Sequence, residues 1–112
     1  TDHIAAWKSS FRGIQKMGGR SKTFILSESG HIAGIVNPPS KKKYGHYTNG
    51  DWSGTPEDWQ SAAEFHEGTW WMRWGDWLSK RSGKKVPART PGEDRDTLGD
   101  APGSYVTEKP TD

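Results

Sequence analysis

The sequence predicts an α/β fold, and three observations carry the prediction. A helical pattern over residues 5–17 precedes a short apolar strand, Thr23-Phe24-Ile25-Leu26, and helix followed by strand is the repeating step of an α/β sheet. The strand runs through Ser27-Glu28-Ser29-Gly30 into His31, and Asp2 stands upstream. Acid, strand, glycine turn and histidine follow one another as in the second half of a Ser/Cys…Asp…His triad. The chain contains no cysteine, and Thr1 alone precedes Asp2, so the nucleophile that this order requires has no place. The expectation is the back end of a larger catalytic domain.

The elements can be justified in turn. Ala5, Ala6, Phe11, Ile14 and Gln15 form a partial 3.6-residue pattern, and Gly18-Gly19 offers residues suited to a left-handed cap. Thr23–Leu26 is β-branched or apolar throughout, which predicts a fully buried strand. One helix and one strand between Asp2 and His31 would return the chain to the same edge of a parallel sheet, where α/β sites lie. Ile32-Ala33-Gly34-Ile35-Val36 is a short apolar run. Asn37-Pro38-Pro39 stops it, because proline lacks a donor and forces extended backbone ahead of it.

Residues 40–54 are polar, aromatic and glycine-containing and predict a loop. A long helix is expected next. Thr55 can cap it, Pro56 suits its first position, and Glu57 and Asp58 favour the positive end of the dipole. Lys80 and Arg81 suit its last turn and Gly83 its stop. Trp59, Ala63, His66, Trp70, Trp74 and Trp77 recur at steps of 4, 3, 4, 4 and 3. That spacing places them on one face, widened by Trp71 and Leu78. From Lys84 onward no period survives and prolines punctuate the chain, which predicts an extended tail. Its apolar anchors lie in Ala101–Val106. The expected organisation is a catalytic-domain end over 1–83, with Thr23–Leu26 as its last strand, and a Pro/Gly-rich tail over 84–112.

Composition agrees with a piece of something larger. The chain has 112 residues, 29% hydrophobic, with 14 Gly and 7 Pro and a mean hydropathy of −1.01. A domain of this size has little margin of buried surface over conformational entropy. The net charge of +2 is too mild for a nucleic-acid partner, and Lys41-Lys42-Lys43 and Lys84-Lys85 lie apart in loop-like stretches. No apolar run approaches the length of a membrane span. The absence of cysteine excludes a disulfide, a thiol nucleophile and a cysteine-held zinc within these residues.

The chemistry centres on His31. An imidazole on a loop leaving a buried strand can be held rigidly, face a cleft, and accept and return a proton near neutral pH. For an isolated strand–Gly–His pattern, a structural or surface histidine is the commoner case. Asp2 can fix the tautomer of that histidine and stabilise its cation, or it can serve as the N-cap of the first helix. His3, His46 and His66 show no paired metal-ligand spacing. His66 is expected as a packed, hydrogen-bonded residue. The Trp face can dock its helix onto the rest of a domain, the favoured reading, or present a platform for a sugar or apolar polymer.

Several blocks together resemble class I polyhydroxyalkanoate synthases. They are Asp2-His3-Ile4-Ala5-Ala6-Trp7, Ser29 to Pro39, Thr69-Trp70-Trp71-Met72-Arg73-Trp74-Gly75-Asp76-Trp77-Leu78, Arg81-Ser82-Gly83 and Ala101-Pro102-Gly103-Ser104-Tyr105-Val106. They follow the order of that family's C-terminal end and cover essentially the whole chain. Ala6 departs from the family's usual proline. The resemblance implies an α/β-hydrolase-fold acyltransferase that polymerises (R)-3-hydroxyacyl-CoA and releases CoA, with a cysteine nucleophile upstream of these residues. His31 matches the catalytic histidine. Asp2 matches the catalytic aspartate, which in the family helps activate the 3-hydroxyl of the incoming unit, in addition to or instead of orienting the histidine. No cofactor is implied beyond coenzyme A as leaving group. The implied partners are the hydroxyacyl-CoA, the growing polyester, the surface of a cytoplasmic polyester granule and, in the full-length enzyme, a second copy in a homodimer. Without the nucleophile, this chain alone is expected to be inactive. Two alternatives remain: another α/β-hydrolase-like esterase or acyltransferase end, and a free-standing Trp-rich binding module.

Overall fold

The structure, a computed structural model, describes residues 2–96 and 98–110. It divides into two compact units, one running to Ser82 and the other from Gly83 onward. Among the described residues, the first holds the α-helices and strands: α1 (Trp7–Lys16), β1 (Ile25–Ser27), β2 (His46–Thr48), α2 (Pro56–Ser61), β3 (Glu64–His66) and α3 (Trp71–Ser79). In the second, the described residues form turns and one short 3₁₀ turn, Tyr105–Thr107, and their side chains are exposed. Tyr105 and Val106 are exposed with the rest.

The sheet is small and antiparallel, in the order β1-β2-β3. Leu26 lies opposite Tyr47, and Tyr47 opposite Phe65. Among the described residues, therefore, β1 has an antiparallel partner and no parallel one, unlike the parallel pairing expected around Thr23–Leu26. A parallel pair needs a crossover, usually helical, whereas residues 28–45 between β1 and β2 contain turns and the short 3₁₀ turn Pro39–Lys41. Nor is β1 the last strand of this chain. Residues 40–54, expected as loop, contain β2. Its three residues are polar or aromatic and become a strand through their partners on both sides.

The long helix is corrected as well. Its start is as expected, with Thr55 as cap and Pro56 first in the helix, and the structure adds a reciprocal capping box: Asp58 N–H donates to Thr55 Oγ1 (3.1 Å) and Thr55 N–H to Asp58 Oδ2 (3.0 Å). After Ser61, however, Glu64–His66 pairs with β2. Gly68 then takes φ +81°, a left-handed conformation that suits glycine, and helix resumes only at Trp71. The single Trp face does not exist. Trp59 belongs to α2, His66 to β3, and Trp74 and Trp77 to α3. The first helix also ends differently: Met17 caps it in extended conformation, and neither Gly18 nor Gly19 has positive φ.

The core is aromatic, which is how a chain poor in aliphatic residues closes a small domain. Phe11, Leu26 and Trp59 are buried, with Trp7, Phe24, Tyr47, Trp52 and Ala63 packed against them. Phe11 lies 5.5 Å from Phe24 and 5.6 Å from Trp59, ring centre to ring centre, and stacks on Trp52 at 5.9 Å. Offset and edge-to-face pairs of this kind add to the area they bury. The Trp59 indole N–H donates to Asn49 O (3.1 Å), and Asn49 Nδ2 donates back to Trp59 O (3.1 Å).

Candidate active site

Asp2 and His31 meet. The Asp2 carboxylate divides its two oxygens between two tasks. Oδ1 accepts the backbone N–H groups of Ile4 (2.8 Å) and Ala5 (3.1 Å), closing the turn that leads into α1. Oδ2 accepts both the backbone N–H and the Nδ1–H of His31. Asp2 is thus no helix N-cap, since Ala6 holds that position, but it does organise the turn before the helix. Burial would raise the Asp2 pKa, but the hydrogen bonds from Ile4, Ala5 and His31 outweigh it and hold the carboxyl well below the usual carboxylate range.

The protonation pattern follows. An ionised carboxylate accepts and cannot donate, so Nδ1 of His31 carries the proton. This fixes the tautomer and leaves Nε2 as the basic nitrogen. The His31 side chain is two-fifths exposed while that of Asp2 is one-tenth exposed. A sheltered acid behind an open imidazole can relay no proton itself, but it can orient the base and stabilise its cation.

The loop that carries His31 is held at both ends. Glu28 N–H donates to Gly45 O (3.0 Å), and Gly45 N–H to Glu28 Oε2 (2.8 Å). At the far end Asn37 is buried, and its Nδ2 donates to Lys43 O (2.7 Å) and Tyr44 O (3.1 Å). Those bonds brace a stretch in which Lys42 and Tyr44 adopt positive φ. Between the ends, Gly34 N–H donates to Gly30 O and Val36 N–H to Ile32 O, coiling 30–36 into two overlapping turns. Trp70 and Trp71 reach this coil from α3, with indole N–H groups donating to Gly34 O (3.0 Å) and Ile35 O (2.8 Å).

Sequence reasoning brought Asp2 and His31 together and missed the tethers. A buried asparagine ahead of two prolines is a signal of side-chain-to-backbone bonding that could have marked Asn37. The direction of two indole N–H groups has no comparable signature. His46 and His66 lie apart from this site. They stack with centres 5.1 Å apart. His46 Nδ1 donates to Gly68 O (3.0 Å), and His66 Nε2 is 2.7 Å from Thr48 Oγ1. His66 is thus hydrogen-bonded as expected, on a strand instead of a helix. No helix among the described residues is long and apolar enough to cross a membrane.

No protein-family profile matches the chain. Individual curated proteins do. The poly(3-hydroxyalkanoate) polymerase subunit PhaC of Rhizobium meliloti (strain 1021) is 46% identical over 94% of the chain. The poly(3-hydroxyalkanoate) polymerase of Methylorubrum extorquens is 47% identical over 96%, and the PhaC subunit of Cupriavidus necator 36% identical over 96%. The chain spans 17–18% of the length of these relatives. In sequence, therefore, this polypeptide is similar along nearly its whole length to one part of poly(3-hydroxyalkanoate) polymerases.

Proposed function

We propose that the chain is the histidine-bearing end of an α/β-hydrolase-fold acyltransferase that joins (R)-3-hydroxyacyl units from their CoA thioesters into polyester. The observation that carries the reading is the Asp2–His31 pair on the turn after β1, within a chain similar along its length to polymerases. In this reading His31 Nε2 takes the proton of a cysteine thiol outside these residues. The thiolate attacks the thioester carbonyl, CoA leaves as its thiol, and an acyl-cysteine remains. A hydroxyl group then attacks that acyl-cysteine, an ester forms, and the cysteine sulfur regains a proton. Water must be kept from the intermediate, or polymerisation becomes hydrolysis.

Asp2 acts in this scheme by orienting His31. Its four hydrogen bonds and lowered pKa make it a poor base for a substrate hydroxyl, so His31 serves both half-reactions. The same reading assigns the parent enzyme to the surface of cytoplasmic polyester granules as a homodimer, with coenzyme A as leaving group and no resident cofactor. The 1–83 and 84–112 division is proposed as catalytic-domain end and tail.

The test uses a complete polymerase carrying this sequence, with CoA release from 3-hydroxybutyryl-CoA measured by thiol titration. His31→Ala is expected to abolish turnover, and Asp2→Asn to lower it by roughly two orders of magnitude or more, as loss of an orienting acid does in triads. The 112-residue chain by itself is expected to release no CoA. Full turnover in His31→Ala, or CoA release by the isolated chain, would refute the assignment.

A further inference from the structure

Resting on that reading, we propose that Trp70 and Trp71 are positioning residues for the His31–Asp2 pair, acting through the backbone of the loop that carries the imidazole. Burial does not hold this loop. Ile32, Ile35 and Val36 are 69%, 52% and 55% exposed, so its apolar side chains anchor it little within the first unit. Directional bonds have to do so instead. Two consecutive indoles supply them to two consecutive carbonyls, Trp70 to Gly34 and Trp71 to Ile35. Such a pairing fixes position along the loop as well as distance from it. A phenyl ring could cover the same surface but could not select which carbonyl it faces.

The donors are themselves constrained. Residues adjacent in a helix point about 100° apart, so aiming both rings at one loop requires further support. Trp70 packs on Trp74 with ring centres 5.6 Å apart and meets Trp71 edge-on at 6.5 Å. The Trp71 backbone N–H donates to the Oγ1 of buried Thr69 (3.2 Å). The chain of restraint therefore runs from the start of α3, through two carbonyls, into the turn that sets both His31 N–H and His31 Nδ1–H on one Asp2 oxygen. Neither tryptophan touches the reacting atoms in this scheme. Their effect is on how often the imidazole is in place.

The experiment uses the complete polymerase. Trp70→Phe and Trp71→Phe keep an aromatic ring and delete the N–H. Each is expected to lower kcat by roughly three- to tenfold, as loss of one net hydrogen bond does, with KM for 3-hydroxybutyryl-CoA within twofold. By ¹³C-detected titration of labelled aspartate, Asp2 in each variant should titrate at higher pH than in the parent, and the low-field Nδ1 proton of His31 should broaden or vanish. Thr55→Ala is the control for simple destabilisation and should leave both signatures intact. If a phenylalanine variant does not fold, 3-benzothienylalanine at position 71 keeps the bicyclic ring without the N–H, with the same expectation. Unchanged kcat together with unchanged Asp2 titration overturns the proposal. So does loss of the signatures in Thr55→Ala. If His31→Ala retains turnover, the catalytic reading fails on its own, and the Asp2 and His31 signatures still decide whether the tryptophans position the pair.

Discussion

Gly34 is the position at which the smallest addition should do the most damage. An alanine Cβ there would lie 2.6 Å from Ser29 O and 2.7 Å from Gly30 O, and closer still to Ser27 Oγ. Ordinary contact begins at about 3.5 Å, so the two carbonyl distances fall roughly 0.8–0.9 Å short. The serine hydroxyl can rotate away, but the carbonyls cannot, because they belong to the backbone turn that Gly34 N–H closes onto Gly30 O at 2.7 Å. The coil must therefore open by close to 1 Å. Overpacking of this kind costs about 1–3 kcal/mol, a large share of the margin of a small domain. The larger effect is on the site. His31 lies inside the opened turn, and a displacement of about 1 Å at a catalytic group can reduce turnover by about 100-fold. Gly34→Ala in the complete polymerase should therefore lose CoA release far beyond its loss of folded protein, judged by turnover normalised to the cooperative unfolding amplitude. Turnover within twofold of the parent, in a variant that folds, would refute the claim that this coil places the imidazole.

Two further predictions concern the scaffold. Thr55→Ala removes one side of the capping box and should destabilise the first unit by about 1 kcal/mol, read as a lower urea midpoint with unchanged slope. Desolvation holds the His46 pKa below its ordinary 6.5, aided by His66 and Arg73 and opposed by the bond to Gly68 O. A histidine whose folded pKa is depressed takes up its proton more readily when unfolded. Its contribution is therefore complete above the unfolded value and declines as pH falls from there toward the lower folded value. The thermal midpoint should drop as pH falls below the ordinary histidine value of 6.5, and His46→Gln should flatten that slope; an unaltered slope in the variant would contradict the assignment.

What could be read in advance was mostly local. The helix start, with Thr55 as cap and Pro56 first, needs only consecutive residues, and α1 needs only its own periodicity. The error at 62–68 has a definite cause. Trp59 and Trp70 are spaced as if on one helix although a strand separates them, because spacing alone cannot register a change of backbone state. Glu64–His66 becomes a strand through pairing with His46–Thr48, a contact between distant residues that no window contains. Gly68 marks the break, since its positive φ lies in a region that helical residues do not use. At the site, the meeting of Asp2 and His31 was legible from the order of acid, strand, glycine turn and histidine. Most of the support beneath it was not, since Trp70 and Trp71 act through backbone carbonyls, which every residue possesses.

One carboxylate staples the amino-terminal turn to the loop bearing the imidazole. Whatever polypeptide is joined ahead of Asp2 must therefore set out from beside His31. In a complete polymerase, a bulky insertion just ahead of Asp2 would crowd the imidazole that the carboxylate holds. For anyone choosing where to attach a label or a surface anchor, Asp2 settles the matter.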